Sequence, residues 1–387
     1  MISNVIKHVL NGVSLPVPLH EPSFTRRDWE VLKDCLDSGY VSSVGQYVDQ
    51  FEKALAKFLG VGHVVAVVNG TAALHICLLM AGVRPGDEVV IPSLTFVATA
   101  NAVSYCGATP IFADSERISL GLDATKLEAF FSENLQPRGN QWLNKNTGRR
   151  VAAIVPVHIF GHPVDMDEIN HIAAHYEMPV IEDAAESLGS RYKTRMAGTL
   201  SSLAAISFNG NKTITTGGGG AIITNDKNLA QRAKHLTTTA KLPHRWEISH
   251  DEIGYNYRMP NLNAALGCAQ LEQLPGFIKQ KRMLAQRYAK AFSGVDGVKF
   301  FQEPEFASSN YWLNALMLDA ANMQQRNETL ASLHDNGIMA RPIWTLMHKQ
   351  PMYQSAPRMD LSTAEELEQR LICIPSSPSL IKGQGHA

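Results

Sequence analysis

"VVAVVNGTAALHICLLMAG", residues 64–82, holds two different hydrophobic patterns joined at one glycine. Residues 64–69 are, up to the closing Asn69, β-branched and small apolar, the composition of a strand. Gly70 then turns the chain, and residues 71–82 read as a helix. The same alternation continues along the chain. "DEVVIP" (87–92) is strand-like and "FVATANAVSYCG" (96–107) helical. "TPIFAD" (109–114) and "VAAIVPVH" (151–158) are strands, followed by a helix in "MDEINHIAAHYE" (166–177). "MPVIED" (178–183) and "LAAISF" (203–208) are buried strands. Strands alternating with helices predict an α/β protein with a mostly parallel sheet covered on both faces. In such sheets the chemistry sits beyond the carboxyl ends of the strands.

The pattern changes after Gly254. "NLNAALGCAQLEQL" (261–274) predicts a helix broken at Pro275 that resumes to about Ala291. A mixed, more polar portion follows. The expected division is 1–260, an N-terminal segment plus a large domain, and 261–387, a smaller α+β domain. Residues 134–150 are polar and turn-rich, a surface insertion ahead of the next strand.

Composition narrows the partners. Apolar content is 45% and the net charge is -1, so neither nucleic acid nor a membrane surface is favoured. No run is long and apolar enough for a membrane span, and the N-terminus lacks a long apolar region, so a cytoplasmic protein is expected. The five cysteines, Cys35, Cys77, Cys106, Cys268 and Cys373, are scattered singly. They offer neither a disulfide framework nor a metal site.

Three stretches carry chemistry. In "VVNGTAAL" (67–74) a helix N-terminus follows a strand, and Thr71 adds a hydroxyl. This suits a phosphate or, equally, a plain capped turn. In "VIEDAAESLG" (180–189), Glu182 and Asp183 end an apolar strand. Either could cap a helix or hold a proton on a ring nitrogen. In "SFNGNKTITTGGGG" (207–220), Lys212 follows a strand in a loop. It could be a nucleophile or base, or a solvated lysine. The glycines permit a tight hairpin or a close backbone approach to a ligand. "GNKT" lacks the earlier glycine of a P-loop, and Ile222 and Ile223 stand where a dinucleotide motif needs its last glycine. His158 with His162, and His171 with His175, are four apart but lack the zinc-protease glutamate. Both pairs are expected to be solvated.

Together these stretches resemble the nucleotide-sugar aminotransferases of the DegT/StrS family. The likeness extends from "LHEPSF" (19–24) and "YVSSVGQYVDQFE" (40–52) to "RPIWTLMHKQPMY" (341–353). It implies the pyridoxal 5'-phosphate (PLP) aminotransferase fold, fold type I. It implies that Lys212 forms a Schiff base with PLP and that Asp183 pairs with the pyridine nitrogen. Gly70, Thr71, Ala72 and Ser207 would hold the phosphate, and Phe96 would stack on the ring. Glu186 stands where many members have glutamine or histidine near the ring hydroxyl. Asn256, in "GYNYRMPNLNAALG", would reach the phosphate of a neighbouring subunit in a homodimer with shared active sites. No metal is implied.

The implied reaction passes an amino group from L-glutamate to C4 of a nucleotide-linked 4-keto-6-deoxy sugar for surface polysaccharide. The subgroup most resembled, that of legionaminic-acid-type pathways, implies a UDP-linked acceptor. A GDP-linked acceptor, as in perosamine synthases, is the alternative. Arg258, Arg341 and His348 are candidates for substrate contact or for structural hydrogen bonds. Two rivals stand beside this reading. Deoxygenase relatives carry histidine in place of the lysine, which Lys212 argues against. A non-catalytic PLP-binding regulator would not need the whole set of groups.

Overall fold

The computed structural model describes residues 1–381. Seven strands form the central sheet: β1 (His63–Val67), β2 (Glu88–Pro92), β3 (Thr109–Ala113), β4 (Val151–Ile154), β5 (Ile181–Asp183), β6 (Leu203–Ser207) and β7 (Gly220–Thr224). Ladders and bridges order them β1-β7-β6-β5-β4-β2-β3. The β4–β5 junction rests on the parallel bridges Ile154 to Val180 and Val157 to Asp183. Only β7 runs antiparallel to its neighbours, so the expectation of a mostly parallel sheet holds. The other six strands end at one edge, and that edge carries the site.

Side-chain alternation explains the layers. On β1, Val65 and Val67 face α4 (Gly70–Met80), α5 (Val97–Tyr105) and α8 (Lys227–Thr237). Val64 and Ala66 face the opposite way, onto α3 (Gln46–Leu59) and the long α9 (Asn261–Phe292). Val90 of β2 faces α6 (Ala124–Asn134) and α7 (Met166–His175). Both faces are therefore covered, and α4, between sheet and neighbours, is buried along most of its length.

A second sheet, entirely antiparallel, joins β8 (Val298–Phe300), β9 (Asn314–Leu318), β10 (Arg341–Pro342) and β11 (Leu371–Ile374) in the order β8-β9-β11-β10. The N-terminal helix α1 (Ile2–Val9) packs Ile6 and Val9 into this sheet's core beside Leu284 and Tyr288 of α9. Residues 134–150 fold as a surface hairpin, pairing Leu135–Arg138 with Gln141–Asn144.

Two local expectations are corrected. Helix α9 does not break at Pro275 but runs through it to Phe292. Pro275 and Gly276 are exposed, while Leu271, Leu274 and Phe277 on the other face stay buried. That packing offsets the ~3 kcal/mol an interior proline costs. The pair His158 and His162 is fully buried rather than solvated. His171 and His175 are exposed, as expected.

Candidate active site

A cavity of about 340 Å³ lies beyond the carboxyl ends of β1, β5 and β6. Gly70, Thr71, Phe96, Asp183, Glu186, Ser207 and Lys212 line it. Ala72 and Asn256 do not. The Ala72 amide donates to Oδ1 of Asn69, the helix N-cap, at 2.8 Å. The amides of Gly70 and Thr71 have no protein acceptor among the described residues. They point out of the positive end of an eleven-residue helix, which suits an anion. Asn256 is exposed and bridges to Thr238, away from this cavity.

The glycines shape the anion cradle by close approach. A Cβ on Gly70 would lie 2.9 Å from Cβ of Ser207. A Cβ on Gly220 would lie 2.4 Å from the carbonyl carbon of Asn69. The glycine run of residues 217–220 thus lets β7 press its backbone against the turn before α4. Gly220→Ala is expected to push that turn aside, at a cost of about 1–3 kcal/mol. Affinity for the PLP that the resemblance implies should weaken at least about tenfold in an equilibrium titration. An unchanged affinity would refute this account of the cradle.

Strand alternation separates the two acids of β5. Glu182 points away from the cavity. It accepts from the amides of Gly198 (2.7 Å), Leu200 (2.6 Å) and Ser201 (2.8 Å), and lies 3.0 Å from Nε2 of His158. It is a structural anchor for the 198–201 turn. Asp183 points in. Its Oδ2 accepts from Oγ1 of Thr99 at 2.7 Å and its Oδ1 from the Ala185 amide at 3.2 Å. Burial raises its pKa, while those hydrogen bonds and nearby Lys212 and His158 oppose the rise. A cationic ring N–H in the cavity would restore the carboxylate.

Lys212 follows β6 in the connection to β7. Its Nζ lies 3.5 Å from Oε1 of Glu186 and 3.8 Å from the ring centre of Trp312. Glu186 is itself held by the Phe160 amide, which donates to Oε2 at 2.8 Å. Phe160 holds a left-handed backbone, φ 55°, a conformation that costs about 1–3 kcal/mol for a residue with a side chain. Burial pushes the Glu186 carboxyl up to about 7 against the pull of Lys212.

The sign of that shift gives a stability prediction. The Glu186 carboxyl would ionise near 4.5 in the unfolded chain but only near 7 in the folded one. Between those values the unfolded state sheds the proton first, so stability falls as pH rises through the window and stays low above it. The full gap amounts to about 3 kcal/mol. In cofactor-free protein, Glu186→Gln should therefore raise the melting temperature at about pH 8 and change it little at about pH 4. Equal shifts at both pH values would contradict the buried, neutral carboxyl.

Sequence reasoning missed Asn69, Thr95, Thr99, Trp312 and Trp344, all of which line the cavity. Asn69 had a local signal, as an asparagine immediately ahead of a helix. Trp312 and Trp344 had none, because tertiary folding brings them in. Arg341 lines the cavity. His348 does not. It sits buried between Oγ of Ser93 (2.7 Å) and Glu365 (3.1 Å). Arg258 pairs with Val67 at the end of β1.

The chemistry of this donor set fits PLP. Free amides and Ser207 suit its phosphate, buried Asp183 its ring nitrogen, and Lys212 its aldehyde. Comparison with known proteins agrees. GDP-perosamine synthase of Escherichia coli O157:H7 is 39% identical over 368 residues, 95% of each chain. The putative pyridoxal phosphate-dependent aminotransferase EpsN of Bacillus subtilis (strain 168) is 37% identical, over 95% of this chain and 92% of its own. The crystal structure of the aminotransferase TlmJ from Streptoalloteichus hindustanus superposes with a TM-score of 0.84 at 28% identity, covering 94% of each chain. Residues 22–385 match the DegT/DnrJ/EryC1/StrS aminotransferase family, and with its fold-type-I sheet the chain belongs to it.

Proposed function

We propose that the protein transfers an amino group from L-glutamate to C4 of a GDP-linked 4-keto-6-deoxy sugar. The product is a 4-amino-4,6-dideoxy sugar nucleotide for surface polysaccharide. The observation that carries the reaction type is the Lys212 amine, held 3.5 Å from a carboxyl in a cavity that also holds buried Asp183. GDP replaces the UDP expected from sequence, because the Escherichia coli relative at 39% identity is named for a GDP sugar.

Bound PLP supplies an aldehyde that takes up amino groups and a ring that accepts electrons. The chain's own groups do the rest. The Gly70 and Thr71 amides and Ser207 bind the phosphate. Asp183 keeps a proton on the ring nitrogen. Phe96, half exposed at the cavity wall, would cover a ring face, and Glu186 would lie by the ring hydroxyl. Lys212 anchors the cofactor. Its amine, when free, would take and return the proton of the donor's α-carbon. Asn256, exposed and outside this cavity, serves the neighbouring subunit of a homodimer.

The test is incubation of the PLP-loaded protein with L-glutamate and either the GDP- or the UDP-linked 4-keto-6-deoxy sugar, read by mass spectrometry of the nucleotide sugar. An amino sugar formed faster from the GDP compound supports the reading. Product from the UDP compound alone would return the assignment to the acceptor expected from sequence. No product from either, with the first half-reaction intact, would remove the sugar assignment.

A further inference from the structure

Lys212 is crowded by a residue with no role so far. The face of Trp312 lies 3.8 Å from Nζ, closer to a ring centre than a chance neighbour need come. The indole is buried and cannot drift. Its Nε1–H donates to the Asn211 carbonyl at 2.7 Å, one residue before Lys212. Its backbone amide donates to Oδ1 of Asn310 at 2.8 Å, and Asn310 in turn donates to the carbonyls of Glu186 and Leu188. The Trp312 carbonyl meets a second lysine. Lys281, on α9, is fully buried, with Nζ 3.2 Å from that carbonyl, 2.6 Å from the Ser376 carbonyl and 3.0 Å from Nε2 of His20.

The hydrogen bonds around Lys281 define its state. As an ammonium it would need Nε2 of His20 as acceptor, which puts the imidazole proton on Nδ1. That atom is buried and has no partner among the described residues. As a neutral amine it keeps both N–H groups on the two carbonyls, and its lone pair accepts from Nε2–H of His20. Nδ1 is then a bare acceptor, cheaper to leave unpaired than an N–H. Burial pulls in the same direction, holding Lys281 and His20 well below their ordinary values. The result is a neutral, rigid pin. It ties α9, the stretch before α2 (Arg26–Asp37) and the end of β11 to the backbone of Trp312 without adding a second positive charge behind Lys212.

We propose that Trp312 is a catalytic residue whose indole face binds the ammonium form of Lys212, and that Lys281 and His20 position it. The inference rests on the reading of Lys212 as the reacting amine, but not on the identity of the acceptor. After the donor displaces it, Lys212 must carry a proton without being lost to water. An aromatic face binds that cation without a hydrogen bond that would have to break for the proton to leave. The other charged or titratable groups facing Lys212 are Glu186, Asp183, Arg341 and His20. All are retained in the variants below.

The experiment reads the amine directly. In the full chain stripped of PLP, the pH at which half of Lys212 reacts with an amine-selective label is measured by mass spectrometry of its peptide. Trp312→Leu should lower that midpoint by about one pH unit, the tenfold change expected of a desolvated cation–π contact. Trp312→Phe keeps an aromatic face but loses the indole N–H, and should stay near wild type. Lys281→Met should move the midpoint in the same direction as Trp312→Leu, by less. A wild-type midpoint in Trp312→Leu overturns the catalytic role. A Phe variant as shifted as the Leu variant assigns the effect to the Asn211 hydrogen bond and also overturns it. A wild-type midpoint in folded Lys281→Met overturns the positioning role. Lys212 titration is read without any sugar, so failure here leaves the acceptor assignment standing, and failure of the acceptor assay leaves this result standing.

Discussion

Lys212→Ala is expected to lower transamination by more than about 10⁴-fold, the upper range for removing a positioned acid–base group, because in the proposed mechanism the same residue also anchors the cofactor. Two readings separate these parts. The purified variant, supplied with PLP, should lack the yellow band of the lysine-bound cofactor. Adding a small primary amine should recover part of the proton-transfer rate but not the protein-bound band. The surroundings make the loss specific. Lys212 lines a cavity that also contains Asp183, Glu186 and the amides of Gly70 and Thr71, which have no protein acceptor among the described residues. A variant that kept more than a tenth of wild-type turnover would end the assignment, whatever its effect on folding.

Asp183→Asn is the second large effect. The carboxyl is 4% exposed and already accepts from Thr99 and Ala185. An amide could keep both contacts, so the fold should persist. It could not hold a proton on a ring nitrogen, and the electron sink would weaken. A loss of about 10³-fold in kcat is expected, comparable to removing one preorganised electrostatic partner, with KM for the donor changed little. A fall in thermal stability with normal kcat would instead make Asp183 a structural acid like its neighbour Glu182.

That neighbour shows how far the sequence could be read. The strand–glycine–helix unit at residues 64–82 was legible because the hydrophobic period changes at Gly70. The apolar runs of β2, β3, β5 and β6 were legible for the same reason, and so was the mostly parallel sheet. Which of Glu182 and Asp183 faces the cavity was legible only through the family resemblance, which named Asp183, and not in the hydrophobic pattern. Both flanks of β5 are buried, so no polar alternation marks the open side. Pro275 was misread because a local rule was overridden by buried Leu271, Leu274 and Phe277. His158 was misread because its partner, Glu182, lies 24 residues away. Trp312 lies 100 residues from Lys212, and Lys281 follows an ordinary helical pattern. Nothing near either residue signals that it will stand behind Lys212.

The way β1 is paired has a consequence for how the protein comes into being. Strand β1 is completed at residue 67, yet its sheet partner is β7, residues 220–224. The turn before α4 is pressed into shape by Gly220 and Ser207. A nascent chain therefore cannot hold the anion cradle until more than half of it has left the ribosome, and pairing at such sequence separation is slow. Cofactor capture is therefore expected to be a late step on the folding route. PLP added during refolding should leave the rate of sheet formation unchanged, while it slows the unfolding of the finished protein and raises its melting temperature.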